Sequence, residues 1–132
     1  MNAQTEITVR GYHADAYGHV NNARYLEFLE EGRWALLEQK IDLHKWAKLG
    51  RIFLVVNINI NYRRVAGPGE ILTVTTGIEK INRRSVVLKQ EITSGRDGVV
   101  VVDALVTFVV VGTNGRPLII EGELAEDLRR LG

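Results

Sequence analysis

Apolar and polar positions fall into two regimes, one with a helical repeat and one with a repeat of two. Glu6 to Arg10 alternates, with Ile7 and Val9 against polar neighbours, which predicts a short first strand. Gly11 to Asn21 breaks the pattern with Gly11, Asp15 and Gly18 and predicts a loop. In Ala23 to Gln39, Tyr25, Leu26, Leu29, Leu36 and Leu37 recur at helical spacing, and Asn21 or Asn22 supplies an N-cap. Phe28, Trp34 and Ala35 widen the apolar surface, so this helix is expected to be packed on several sides. Ile41 to Leu49 reads as a connection with a further helical turn.

From Ile52 the period is two. Val56, Ile58, Ile60 and Tyr62 are expected on one face and Asn57, Asn59 and Asn61 on the other. Gly67-Pro68-Gly69 ends this strand. Glu70 to Ile81, Ser85 to Thr93 and Val99 to Val111 are the next strands, and Glu121 to Leu131 a short C-terminal helix. Such short connections require antiparallel neighbours, because parallel strands need crossovers of a dozen or more residues. The class is α+β, a single domain over residues 1–132 with one long helix against an antiparallel sheet.

Composition narrows the chemistry. Apolar residues make up 45% and charged residues 25%, the balance of a globular domain. A net charge of +1 argues against a nucleic-acid partner held by phosphate neutralisation. The absence of cysteine removes disulfides, thiolate zinc sites and a cysteine nucleophile. The polar N-terminus does not read as a signal peptide, and Val99 to Val111 is too short and β-branched for a membrane helix. These features predict a soluble, cytoplasmic protein with no membrane partner.

The chemistry concentrates between Tyr12 and Tyr25. Asp15 lies a few residues ahead of a helix start, where free N–H groups and roughly half a positive charge favour a developing oxyanion. A carboxylate there can attack an acyl carbon or activate a water toward it. Gly18 lets the backbone approach a substrate closely. Glu30 stands roughly 12 Å along the helix from Asn22, so Glu30 and Glu31 are assigned a structural role, with Arg33 or a neighbouring subunit as the partner. His13 and His44 lack metal-ligand spacing, so no metal is expected. Arg63-Arg64 reads as a solvated pair.

The pattern Asp15-x-x-Gly18-His19-Val20-Asn21-Asn22-x-x-Tyr25, followed by Leu26 and Glu30-Glu31-x-Arg33, resembles the hotdog-fold acyl-CoA thioesterases of the 4-hydroxybenzoyl-CoA thioesterase type. The resemblance is strongest to the bacterial long-chain enzymes, and resumes at Val55 to Arg64, Ala104 to Phe108 and Leu118 to Leu124. It implies a hotdog fold, with a sheet of about five strands wrapped around the long helix. It also implies homodimers, or tetramers built from two dimers, with active sites at the dimer interface. By the same resemblance, Asp15 is the catalytic carboxylate, the Asn22 N–H the oxyanion donor and His19 a further participant. Arg83, Arg84 and Ser85 match in placement a basic turn that holds coenzyme A phosphates, and guanidinium forks suit phosphate oxygens. Tyr17 departs from the related plant acyl-carrier-protein thioesterases, where an asparagine is expected, so their fuller catalytic set does not transfer.

The expected activity is hydrolysis of long-chain acyl-CoA to free acid and coenzyme A, without a cofactor. Two rivals share the fold: an acyl-CoA hydratase or dehydratase, and a non-catalytic acyl-CoA-binding module. The first needs a His–acid pair aimed at the acyl β-carbon, for which only His19 is available. The second predicts ligand stabilisation without thiol release.

Overall fold

The long helix begins one residue earlier than its periodicity suggests. In the computed structural model, which describes residues 2–132, Asn21 is the N-cap and its side-chain oxygen accepts from the Ala23 N–H at 2.9 Å. Asn22 is therefore the first helical residue, with its N–H at the open end of the backbone ladder. The elements run β1 (Ala3–Thr8), a 3₁₀ turn (Gly11–His13), α1 (Asn22–Lys40), α2 (Leu43–Lys48), β2 (Ile52–Tyr62), β3 (Ile71–Ile81), β4 (Val86–Ser94), β5 (Val100–Val111) and α3 (Gly122–Arg129). All strand pairs are antiparallel, in the order β1-β3-β4-β5-β2.

The first strand lies earlier than expected, because Gln4 and Thr5 find partners in Thr75 and Val74 of β3. The chain passes from β1 at one sheet edge to β2 at the other, carrying α1 across the inner face against β1, β3 and β4. Tyr25, Phe28 and Leu29 pack on Leu72, Val74, Ile92, Val102 and Val106 at one end of that face. Leu36 and Leu37 pack with Trp46, Val86, Leu88, Phe108 and Leu128 at the other. Burying a leucine of this kind stabilises by about 1.5–3 kcal/mol. This is the hotdog arrangement that the resemblance implies.

A polar thread crosses this core. Gln90, wholly buried on β4, donates to the Leu29 carbonyl at 2.9 Å and to Thr76 Oγ1 at 2.8 Å. Its oxygen accepts from Arg33 Nη1 at 3.1 Å. Gly32 lets α1 come this close: a Cβ there would stand 2.5 Å from Val74 Cγ1 and 2.9 Å from Thr76 Oγ1. Arg33 thus makes no ion pair with Glu30 within 4.0 Å, although the Glu30 charge acts on it; the Glu30 carboxylate accepts from Trp34 Nε1 at 3.3 Å. The expected Glu–Arg pairing gives way because the buried amide oxygen would otherwise lack a donor.

Two further expectations are corrected. Residues Ile58 and Ile60 pack against the core, but a bulge between Val55 and Asn57 leaves Val56 58% exposed. Within the chain α1 is packed on one side only, since the sheet covers its inner face and leaves Leu26 and Trp34 exposed. Asn57, Asn59 and Asn61 lie on the exposed outer face, where Asn61 donates to Asp103 at 3.0 Å. No helix among the described residues is long and apolar enough to cross a membrane.

Candidate active site

The loop ahead of α1 is a closed, hydrogen-bonded turn. Asp15 N–H donates to the His19 carbonyl at 2.9 Å, and the Gly18 N–H returns to the Asp15 carbonyl at 3.0 Å. Gly18 adopts φ +79, which a residue with a Cβ reaches only at a cost. The Tyr17 N–H donates to Asp15 Oδ1 at 2.9 Å, an Asx-turn. Asp15 therefore serves local structure with one oxygen, while Oδ2 has no partner among the described residues.

Two backbone bonds and one backbone-to-side-chain bond hold this loop in place. Val20 N–H donates to the Ala66 carbonyl at 2.8 Å, and Asn21 N–H to the His13 carbonyl at 2.9 Å. His13, buried against Phe28, accepts from the Arg10 N–H through Nδ1 at 2.9 Å. Burial, reinforced by the Arg24 charge, lowers the His13 pKa, which keeps the ring in the neutral form that can accept.

Asp15, His19 and Asn22 line one cleft of about 560 Å³, together with Tyr17, Tyr25 and Tyr62. Among the described residues no group accepts from the Asn22 N–H, so a free donor stands at the helix start in the wall of this cleft. Tyr62, the last residue of β2, donates through Oη to the Asn22 carbonyl at 3.1 Å. The Tyr25 and Tyr62 rings are 5.8 Å apart. Burial raises the Tyr25 pKa, so its phenol stays protonated.

Arg63 and Arg64 also line the cleft. They are held and not freely solvated: Arg63 Nε donates to Asp103 at 2.7 Å, and Arg64 grips Asp97 with two bonds of 2.8 and 3.1 Å. The Arg64 fork, aided by the Val99 N–H, lowers the Asp97 pKa to about 2. Each guanidinium thus carries its own counter-charge at the cleft rim.

Arg83, Arg84 and Ser85 are not brought to this cleft within the chain. They form the β3–β4 turn, closed by the Asn82 N–H to the Ser85 carbonyl at 2.8 Å and by Asn82 Nδ2 to Ser85 Oγ at 3.0 Å. The pairing of Val86 with Phe108, and of Phe108 with Val55, puts this turn at the sheet end away from Tyr62. Tyr62 is a cleft residue to which sequence patterning assigns no site role. Tyr62 reads as one more alternating strand residue, and its only signal is its place at the strand's end.

The geometry agrees with the comparisons. A family model described as the thioesterase-like superfamily matches residues 9–128. The long-chain acyl-CoA thioesterase FadM of Escherichia coli is 52% identical over 130 residues, covering 97% of this chain and 98% of that one. The solved structure of YbaW from Escherichia coli superimposes with a TM-score of 0.91 at 50% identity, covering 97% of each chain. A 1,4-dihydroxy-2-naphthoyl-CoA thioesterase from Synechocystis, 16% identical, shares the fold with a TM-score of 0.83 over 98% of this chain and 93% of its own. With this fold and a family model matched over residues 9–128, the chain belongs to the thioesterase-like superfamily.

Proposed function

We propose that this single domain hydrolyses long-chain acyl-CoA thioesters to the free acid and coenzyme A, with Asp15 as the catalytic carboxylate. The observation that carries the reading is the shared cleft of Asp15 and Asn22. Attack on the thioester carbonyl, by Asp15 Oδ2 or by a water that Asp15 deprotonates, builds the same negative charge on the carbonyl oxygen. The Asn22 N–H meets that charge, and a donor so placed is worth about 3 kcal/mol in the transition state. Collapse breaks the C–S bond and the thiolate leaves to take a proton. If Asp15 itself has attacked, a water then cleaves the mixed anhydride. The role of His19 is to hold Asp15 through its carbonyl and to wall the cleft.

The working unit in this reading is a homodimer, which pairs further into a tetramer. β2 is an eleven-residue edge strand with Ile52, Leu54, Val55 and Val56 exposed along it. An apolar edge of this length is a template for a second strand, and a twofold axis would pair β2 with itself, antiparallel. The Tyr62 end of one copy then meets the Ile52 end of the other. That brings Arg83 and Arg84 of the partner subunit to the side of the molecule where Asp15 opens, the side on which coenzyme A phosphates need cations. The setting is fatty acid metabolism in the cytoplasm.

Release of thiol from palmitoyl-CoA by the purified protein tests the reaction class. The account expects stoichiometric coenzyme A and palmitate, and no hydration of an enoyl-CoA. Hydration, or tight binding without thiol release, would assign the chain to one of the two rival classes.

A further inference from the structure

A second cavity, of about 450 Å³, lies between α1, α2 and the first half of β2. Its walls are mainly apolar, with Leu37, Trp46, Phe53 and Phe108 among them, yet two arginines, Arg33 and Arg51, also line it. The only carboxylate in the lining is that of Glu30, which accepts from Trp34 Nε1 and whose charge acts on Arg33, leaving the two cations in excess of it.

Neither arginine is saturated. Arg33 spends one donor on Gln90 and has no carboxylate within 4.0 Å among the described residues. Its anchor cannot turn away, because both Gln90 amide hydrogens are spent on the Leu29 carbonyl and Thr76. Arg51 lies over the Trp46 ring, 5.5 Å from its centroid, with its side chain 18% exposed. Its Nη1 is buried beside Asp127, 3.8 Å away, while its Nε and Nη2 form no hydrogen bond among the described residues. Donors left open at the wall of an apolar cavity mark a place for an acceptor of opposite charge.

The cavity is aligned with the active site. Asn22, Leu26, Arg33 and Leu37 recur along one stripe of α1, and β2 runs beside that stripe in the opposite sense. Tyr62 meets Asn22 at one end, and Phe53 and Leu37 line the cavity at the other. Arg33 is about 16 Å along the helix axis from Asn22. The two cavities share no lining residue, but each takes part of its wall from β2, the free edge of the sheet.

We propose that this cavity binds the carboxylate of an apolar chain, gripped by Arg33 and Arg51. Two ligands carry that chemistry: an acyl-CoA whose far end is a second carboxylate, and a free fatty acid. The proposal rests on the thioesterase reading only for the first of these. Guanidinium forks suit a carboxylate, and the apolar walls suit its chain.

The test compares kcat/KM for hexadecanedioyl mono-CoA and palmitoyl-CoA, and separately measures palmitate binding by calorimetry, for wild type, Arg33→Met and Arg51→Met. A preference for the dicarboxylic thioester that falls about tenfold in either variant assigns the chain-borne carboxylate. Palmitate binding that weakens about tenfold in either variant, without that preference, assigns the free acid. If Arg33→Met fails to fold because Gln90 loses its donor, Arg51→Met decides alone, since it leaves Gln90 untouched. Equal kcat/KM for both thioesters together with unchanged palmitate binding overturns the proposal. Palmitoyl-CoA turnover that persists in that case leaves the thioesterase reading standing. Absence of turnover by wild type removes that reading, while the palmitate measurement still decides this one.

Discussion

The hydroxyl of Tyr62 donates to the carbonyl of Asn22 at 3.1 Å, so the last residue of the edge strand holds the first residue of the long helix. The Asn22–Ala23 peptide is thereby tied to β2, next to the N–H assigned to the oxyanion. Tyr62→Phe removes one neutral hydrogen bond, worth roughly 1 kcal/mol. We expect kcat with palmitoyl-CoA to fall about fivefold with KM little changed, as befits a positioning residue. A rise in KM at constant kcat would instead make Tyr62 a ground-state binding contact.

Gly32→Ala is expected to destabilise, against the usual direction. In an open helix the exchange gains about 1 kcal/mol. Here the new methyl would sit 2.5 Å from Val74 and 3.1 Å from Gln90 Nε2, forcing α1 off the sheet. Overpacking of this kind costs about 1–3 kcal/mol. Urea denaturation should show a lower midpoint; a raised midpoint would mean that the helix does not approach the sheet this closely.

Asp127 joins α2 to α3. Its carboxylate accepts from Trp46 Nε1 at 2.9 Å and from Arg130 Nη1 at 2.6 Å, and is 5% exposed. Asp127→Ala leaves the buried indole N–H without an acceptor and should cost about 2–4 kcal/mol. Asp127→Asn keeps an acceptor for Trp46 and should recover part of that loss in the same thermal melt.

His13 gives stability a pH dependence of definite sign. Its pKa is lowered on folding, chiefly by burial, so the unfolded chain takes up the proton first as pH falls. The contribution is complete above the unfolded value of about 6.5 and is lost progressively as pH drops below it. Asp97 and Asp103, lowered by their arginines, act in a separate window below about pH 4. Thermal midpoints between pH 8 and pH 5 should fall on the acid side, and less steeply in His13→Gln. An equal slope in that variant would locate the titration elsewhere.

The elements were legible because each is periodic over many residues, as with Val99 to Val111 against the observed Val100–Val111. Asp15 and Asn22 were legible because the loop and the helix start adjoin in sequence. Tyr62 was not, since forty residues separate it from Asn22 and only the fold joins them. The Val56 bulge was hidden for a different reason: one extra residue leaves the alternation intact in the sequence while shifting the pairing with β5. The bond from Arg33 to Gln90 is not legible because Gln90 comes from across the core, whereas Glu30 is near in sequence. Residues Arg83 to Ser85 were found as a basic turn, but their distance from the cleft depends on the number of copies, about which one chain's pattern is silent.

The central claim is that the free oxygen of Asp15 performs the chemistry beside the Asn22 N–H. Its most direct test is palmitoyl-CoA turnover by Asp15→Asn and Asp15→Ala, each checked by circular dichroism. Asparagine preserves an acceptor for the Tyr17 N–H, so the loop should hold while the nucleophile or base is lost. The account predicts that both variants fold and that kcat falls by about a hundredfold or more. Near-wild-type kcat in either folded variant would contradict it.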